Sequence, residues 1–307
     1  MKIFVVCGRV VFLLLCVAIS SRADFREFQS VPVNPELQAA VGKVAEATLQ
    51  EFPRLTTEGL ALSVIDLTSP ETPLRADYRG DASFYPASVM KLFVMTQIFR
   101  ESRHSPEIDR ALREMIHVSD NDATAYLMDV LSGTTGGPEL EGKALEEFID
   151  RRRTTNRYFA SLGYDISAMM KPWSFGPYGR EMQLLGENKI NRNRATANTF
   201  ASLLYWIVRK RAVSPVASGQ MLELLERPLE NRRPDENQVN EFLGESLPVG
   251  TKLWSKAGDT SEVRHDAAYV ELPSGKKFII VVLTSGAADD KTLLPAIGKR
   301  LLAEIAP

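Results

Sequence analysis

The sequence has 307 residues, 44% hydrophobic and 25% charged, with a formal net charge of −2. That is the make-up of a folded chain with a sizeable core, and it excludes a low-complexity or disordered protein. A near-neutral, mildly acidic balance gives no electrostatic reason to seek nucleic acid.

The first 23 residues read as an export signal. MKIFVVCGR is a short basic start, VVFLLLCVAI an apolar run of the right length, and Ser21-Arg22-Ala23 a small-x-small cleavage site. The run is short for a bilayer span, and no later segment is long and charge-free enough to be one. The alternative is an uncleaved anchor; a lipoprotein is disfavoured by the bulky Leu15 before Cys16. Cleavage would remove Lys2, Arg9 and Arg22, leaving 34 basic against 39 acidic residues, a balance of −5. It would also remove Cys7 and Cys16, the only cysteines. The exported chain then has no disulfide, thiolate nucleophile or cysteine-ligated zinc. With three histidines in all, a histidine metal cluster is not expected either.

Residues 24–307 are expected to form one catalytic domain. Pro35 to Phe52 reads as an amphipathic helix with Asn34 as its N-cap. Gly59–Leu67 and a run near Leu74–Tyr78 read as paired strands joined through Ser69-Pro-Glu-Thr-Pro73. From Ser88 to about Arg211 the pattern is mainly helical, with Ser119–Leu131, Leu140–Leu162 and Ala195–Arg211 as segments. A loop rich in Pro, Gly and aromatics, KPWSFGPYGRE at Lys171–Glu181, interrupts it. Pro215–Leu225 is a further helix, and strand character returns at Lys252–Lys256, Asp266–Leu272 and Lys277–Thr284. A helix at roughly Leu294–Ile305 ends the chain.

Two strands early and three late imply an α+β fold: an antiparallel sheet built from both chain ends and flanked by the terminal helices. Residues 24–87 and 212–307 would form this lobe, and 88–211 an all-helical lobe packed against it. A cleft is expected at the junction.

Three short stretches carry chemistry. In YPASVMKLFVM, Ser88 and Lys91 are three apart on a helix that is otherwise apolar nearly all round, so they share a face. Lysine is almost never buried alone, and desolvation is what makes it a proton acceptor beside a hydroxyl. The plain alternative has Lys91 snorkelling to solvent and Ser88 capping the helix. In MIHVSDNDAT, Ser119 reads as an N-cap with Asp122 completing a capping box, which leaves Asn121 unexplained. A relay hydroxyl and an orienting carboxamide on one turn would explain it. In LWSKAGDTSEVRHD, Lys256-Ala257-Gly258 ends a strand, and Gly258 permits a close backbone approach. His265-Asp266 reads as structural.

Taken in order, Ser88-x-x-Lys91, Ser119-Asp120-Asn121 and Lys256-Ala257-Gly258 resemble the penicillin-recognising serine hydrolases, most closely class A β-lactamases. The resemblance implies Ser88 as acylating nucleophile, Lys91 as its proton partner and Ser119 as relay to the leaving nitrogen. It implies Asn121 holding the substrate amide, Lys256 attracting the substrate carboxylate, and the N–H groups of Ser88 and Asp259 as the oxyanion hole. Glu181, with Leu184 at the family spacing, would activate the deacylating water. Ala257 stands where the family has a hydroxyl residue, for which Thr260, Ser261 or Arg264 would compensate. Leu185 replaces the water-binding asparagine, and only 27 residues separate Lys91 from Ser119, which shortens a rim loop.

The expected activity is hydrolysis of a β-lactam amide through an acyl-enzyme in an exported, monomeric enzyme. No cofactor or metal, no nucleic acid and no stable membrane span is expected. The alternatives are a D,D-peptidase on peptidoglycan-like peptides or an esterase on the same scaffold, and a silent ligand-binding homologue.

Overall fold

The computed structural model describes residues 24–172, 176–230 and 238–306. The export signal, with both cysteines, lies outside the described residues, as does part of the Lys171–Glu181 loop. No helix among the described residues is long and apolar enough to cross a membrane.

The chain opens with α1 (Phe25–Gln29) and α2 (Pro35–Glu51), the latter capped by Asn34 Oδ1, which accepts from Leu37 N at 2.7 Å. Strands β1 (Leu60–Asp66) and β2 (Leu74–Tyr78) follow. A 3₁₀ turn (Ala87–Met90) leads into α3 (Lys91–Arg100), then come α4 (Pro106–His117) and α5 (Asn121–Ser132). The helix expected over Leu140–Leu162 is broken at Arg153 into α6 (Gly142–Arg152) and α7 (Thr154–Ser161). Helices α8 (Arg180–Leu185), α9 (Ala197–Val208) and α10 (Pro215–Leu225) complete the middle of the chain. The rest is β3 (Glu226–Arg227), β4 (Lys252–Asp259), β5 (Val263–Glu271), β6 (Lys277–Ser285) and α11 (Leu293–Ile305).

The strands form one six-stranded antiparallel sheet in the order β2-β1-β6-β5-β4-β3. The join of the two chain ends is β1 on β6, with Ala61 opposite Leu283 and Ile65 opposite Ile279. Both faces are covered, so the central strands are buried almost throughout. The outer face packs Leu62, Val64, Ala268 and Val282 against α2 and α11. The inner face packs Ala61, Ala267, Val281 and Leu283 against the helical lobe, with α9 lying on it. In α3, every residue from Lys91 to Phe99 is buried. Phe93 meets Phe159 edge-on at 4.8 Å and Phe200 at 5.1 Å, which anchors this helix in the lobe centre. The turn that carries Ser88 therefore leads into a well-anchored helix between the two layers.

Candidate active site

A cleft of about 300 Å³ opens where the 3₁₀ turn, the N-terminus of α5 and the end of β4 meet; Ser88, Lys91, Asn121 and Asp259 line it. Ala87, just before Ser88, has φ 44°, a left-handed conformation that non-glycine residues rarely adopt, and it makes the sharp entry to the turn. The fold holds that entry from behind. His265 Nδ1 accepts from Thr284 N at 3.0 Å, so Nε2 carries the proton and donates to Tyr85 O at 2.8 Å. Burial lowers the His265 pKa to about 4, keeping the ring neutral for this clasp. The histidine is structural, as expected.

Lys91 is 1% exposed. Its amine donates to Ser119 O at 2.5 Å, Asn121 Oδ1 at 3.0 Å, Ser119 Oγ at 3.1 Å and Asp120 O at 3.4 Å. None of these four bonds goes to Ser88, although both side chains face the same cleft. Burial lowers the Lys91 pKa to about 7, with Asp120 opposing in part. The snorkelling alternative fails: the amine stays inside the protein.

Ser119 is not the helix cap. Asp120 takes that place, its Oδ1 accepting from Ala123 N at 2.6 Å, while Ser119 sits at φ 60° before it. That conformation turns the Ser119 hydroxyl between two lysines, accepting from Lys91 at 3.1 Å and Lys256 at 3.0 Å. When both amines donate to it, both of its lone pairs are engaged and its own proton is free to be given away.

Lys256 is fully buried. Besides Ser119 Oγ, its amine meets Gln238 Oε1 at 2.5 Å and Ala257 O at 2.6 Å. Burial holds its pKa well below the ordinary lysine value, and the neighbouring charges of Lys91 and Arg227 push it the same way. Gly258 allows a close approach, but to the turn that carries Ser88: a Cβ there would lie 2.8 Å from the backbone N of both Ser88 and Val89. Thr260 N donates to Val263 O across the β4–β5 ladder. By the alternation of that ladder, Asp259 N–H points away from β5, toward the free edge beside Ser88.

Two site expectations, for Arg264 and Glu181, differ from the structure. Arg264, expected at the cleft, lies on the outer face, where Nε donates to Ala288 O at 2.9 Å and the guanidinium lies over Phe242. Neighbouring strand positions point to opposite faces, and Arg264 shares its face with Ala268 and Val270. Ala257 likewise buries its methyl in the outer core. Glu181 is fully buried and turned from the cleft; Oε1 accepts from Arg152 at 2.6 Å and stands 3.6 Å from Lys171 Nζ. Arg152 and Lys171 also bind Asp129, at 2.7 and 3.0 Å, which completes a cluster of two carboxylates and two cations. Leu185, at the other end of α8, lines the cleft instead.

Two contributors carry no sequence signal. Gln238 joins Lys256 to the end of α4 through polar atoms alone, with no periodicity to mark it. Asn193 accepts from Met169 N and Met170 N and donates to Met170 O, which fastens the cleft wall. Among the described residues no group of three or more His, Cys, Asp and Glu side chains is placed to hold a metal.

Comparison with solved structures finds the same fold in PBP-A, 18% identical over 89% of this chain and 97% of that one, with a TM-score of 0.62. A β-lactamase from Sphaerobacter thermophilus DSM 20745 is 19% identical over 88% and 98%, with a TM-score of 0.59. The TLA-1 extended-spectrum β-lactamase is 13% identical over 87% and 100%, with a TM-score of 0.62. At these identities the likeness is one of fold. No curated protein matches the chain. A family model described as the β-lactamase enzyme family matches residues 102–305, a span that begins downstream of Lys91 and takes in Ser119, Asn121, Glu181 and Lys256. The chain belongs to the β-lactamase enzyme family and is a serine hydrolase of that type.

Proposed function

We propose that the chain, as a single exported domain over residues 24–307, opens β-lactam amides through an acyl-enzyme on Ser88 that water then releases. One observation carries this reading: a buried lysine with a pKa near neutrality shares the cleft with Ser88 and is bonded to Ser119 and Asn121. In its neutral form Lys91 has two protons, which Ser119 O and Asn121 Oδ1 can take, leaving its lone pair for a hydroxyl. Ser88 Oγ attacks the amide carbon as Lys91 takes its proton. The N–H groups of Ser88 and Asp259 stabilise the oxyanion. Collapse breaks the C–N bond, and Ser119 gives its proton to the departing nitrogen as it takes from Lys91, 3.1 Å away, the proton that Ser88 gave up. Asn121 orients the substrate amide. Benzylpenicillin is expected to add its full mass to the protein, by intact-mass spectrometry, and to add nothing to Ser88→Ala. An adduct that persists in the Ser88→Ala protein would refute the assignment.

The placement of Glu181 favours a slow release, as in a D,D-peptidase or esterase on this scaffold. Its Oε1 is held by Arg152 and its Oε2 is enclosed without a hydrogen-bond partner, and at the other end of α8 the cleft is lined by an apolar Leu185. A Glu181→Gln variant is therefore expected to lose its adduct within about twofold of the parent rate, far from the 10²–10⁴-fold loss that removal of a general base causes. A loss of that larger size in a chase experiment would restore Glu181 as the base.

A further inference from the structure

The Lys256 amine meets three acceptors, Ser119 Oγ at 3.0 Å, Gln238 Oε1 at 2.5 Å and Ala257 O at 2.6 Å. An ammonium has three protons and a neutral amine two, so in either state Lys256 has no donor to spare. Its side chain is also fully buried. One acceptor, Ala257 O, lies in the lysine's own motif and another, Ser119 Oγ, in the Ser-Asp-Asn turn; the third, Gln238, comes from outside both. The same Gln238 oxygen accepts from Ala257 N at 3.2 Å, and its amide nitrogen donates to Ile116 O at 2.8 Å and His117 O at 2.6 Å. Gln238 is 5% exposed and uses both ends of its amide, bridging the end of α4 to β4 directly behind Ser119.

We propose, resting on the acyl-enzyme reading above, that Gln238 is a positioning residue that commits Lys256 to Ser119 and withdraws it from substrate, so that acylation hardly depends on a carboxylate beside the scissile amide. Two further observations point the same way. The Ala257 methyl lies in the outer core, and the Arg264 guanidinium lies on the outer face, bonded to Ala288 O. Neither reaches the cleft to take over a carboxylate; of the cations that do line it, Lys171 is held by Asp129 and Arg192 by Glu262, each at 3.0 Å, and Lys189 is exposed to solvent. The substrate class that fits is an acyl donor whose leaving side is uncharged, an ester or amide recognised through its carbonyl and acyl side chain.

The test compares the second-order rate of Ser88 acylation by benzylpenicillin and by its methyl ester, which differ in that charge and one methyl group. For the parent protein the acid-to-ester ratio is expected to be less than about tenfold, because one charge-assisted hydrogen bond would supply about tenfold or more. Gln238→Ala frees a Lys256 donor and opens space beside it, so the ratio is expected to rise by about tenfold or more. Arg227 donates to Ile116 O and to His117 O, so both carbonyls keep a partner in the variant. Gln238→Met, which removes the acceptor at nearly constant length, is expected to move the ratio in the same direction and covers a failure of the alanine variant to fold. A parent ratio of about tenfold or more, or variants that slow both compounds equally, would overturn the proposal. An absence of acylation by either compound would instead bring down the acyl-enzyme reading, and this proposal with it.

Discussion

Replacing Lys91 with alanine is expected to slow acylation of Ser88 by about 10²–10⁴-fold, the usual contribution of a positioned general base. The parent enzyme should also report the lysine through pH. Burial lowers its pKa from 10.5 to about 7. Below pH 7 the amine is protonated and cannot accept from Ser88, so the acylation rate should rise about tenfold per pH unit and level off above neutrality. A rate that kept rising past about pH 9 would mean an ordinary, solvated lysine and would contradict this role. The same shift enters stability with a defined sign. The unfolded chain keeps the Lys91 proton up to about its ordinary pKa of 10.5, whereas the folded chain releases it near 7. Burial therefore weighs against folding most fully below pH 7, and the cost is relieved as pH rises toward 10.5. The buried Lys256 contributes in the same direction. On the proposed reading, that lost stability is the cost of a base that works at neutral pH.

Arg152→Met is expected to lower stability by about 3–5 kcal/mol, the cost of leaving a buried charge without its partner. Arg152 is nearly wholly enclosed and stands between two carboxylates, with its Nη2 at 2.6 Å from Glu181 Oε1 and 2.7 Å from Asp129 Oδ1. Lys171 lies 3.6 Å from Glu181, beyond a hydrogen bond, and cannot stand in without movement. The discriminating measurement is urea unfolding of Arg152→Met beside the double variant Arg152→Met, Glu181→Met. Removing both charges should recover most of the loss, because a paired buried ion is close to neutral against apolar groups of similar size. A double variant no more stable than the single one would show that Arg152 acts through Asp129 or through its stacking on Phe148 instead.

The local signals were dependable where the structure depends on local chemistry. Asn34 and the Pro215–Leu225 helix follow from capping and proline placement that any short window displays. The sheet from both ends of the chain followed from apolar runs bounded by turn residues, and β1 does pair with β6. Boundaries erred where a break had no local marker: Arg153 interrupts a continuous helical pattern. At Ser119 two residues competed for one cap, and a residue pattern alone does not choose between Ser119 and Asp120.

The sequence by itself determined which chemical groups are present and their order: a serine three residues before a lysine, a Ser-Asp-Asn turn, a lysine two before a glycine, and the α+β frame that carries them. Which way several of those groups point was decided by the tertiary structure. Strand β5 is buried on both faces, so it shows no polar alternation from which to read that Arg264 faces outward and His265 inward. Glu181 was drawn to a cation 29 positions earlier in the chain, and Lys256 was saturated by Gln238 from 18 positions before it. A buried charge takes the partner that is nearest in space, and sequence spacing holds no record of that distance. The proposed acylation at Ser88 rests on three short motifs that the sequence displays; the partners of Glu181 and of the third motif's lysine were decided by packing.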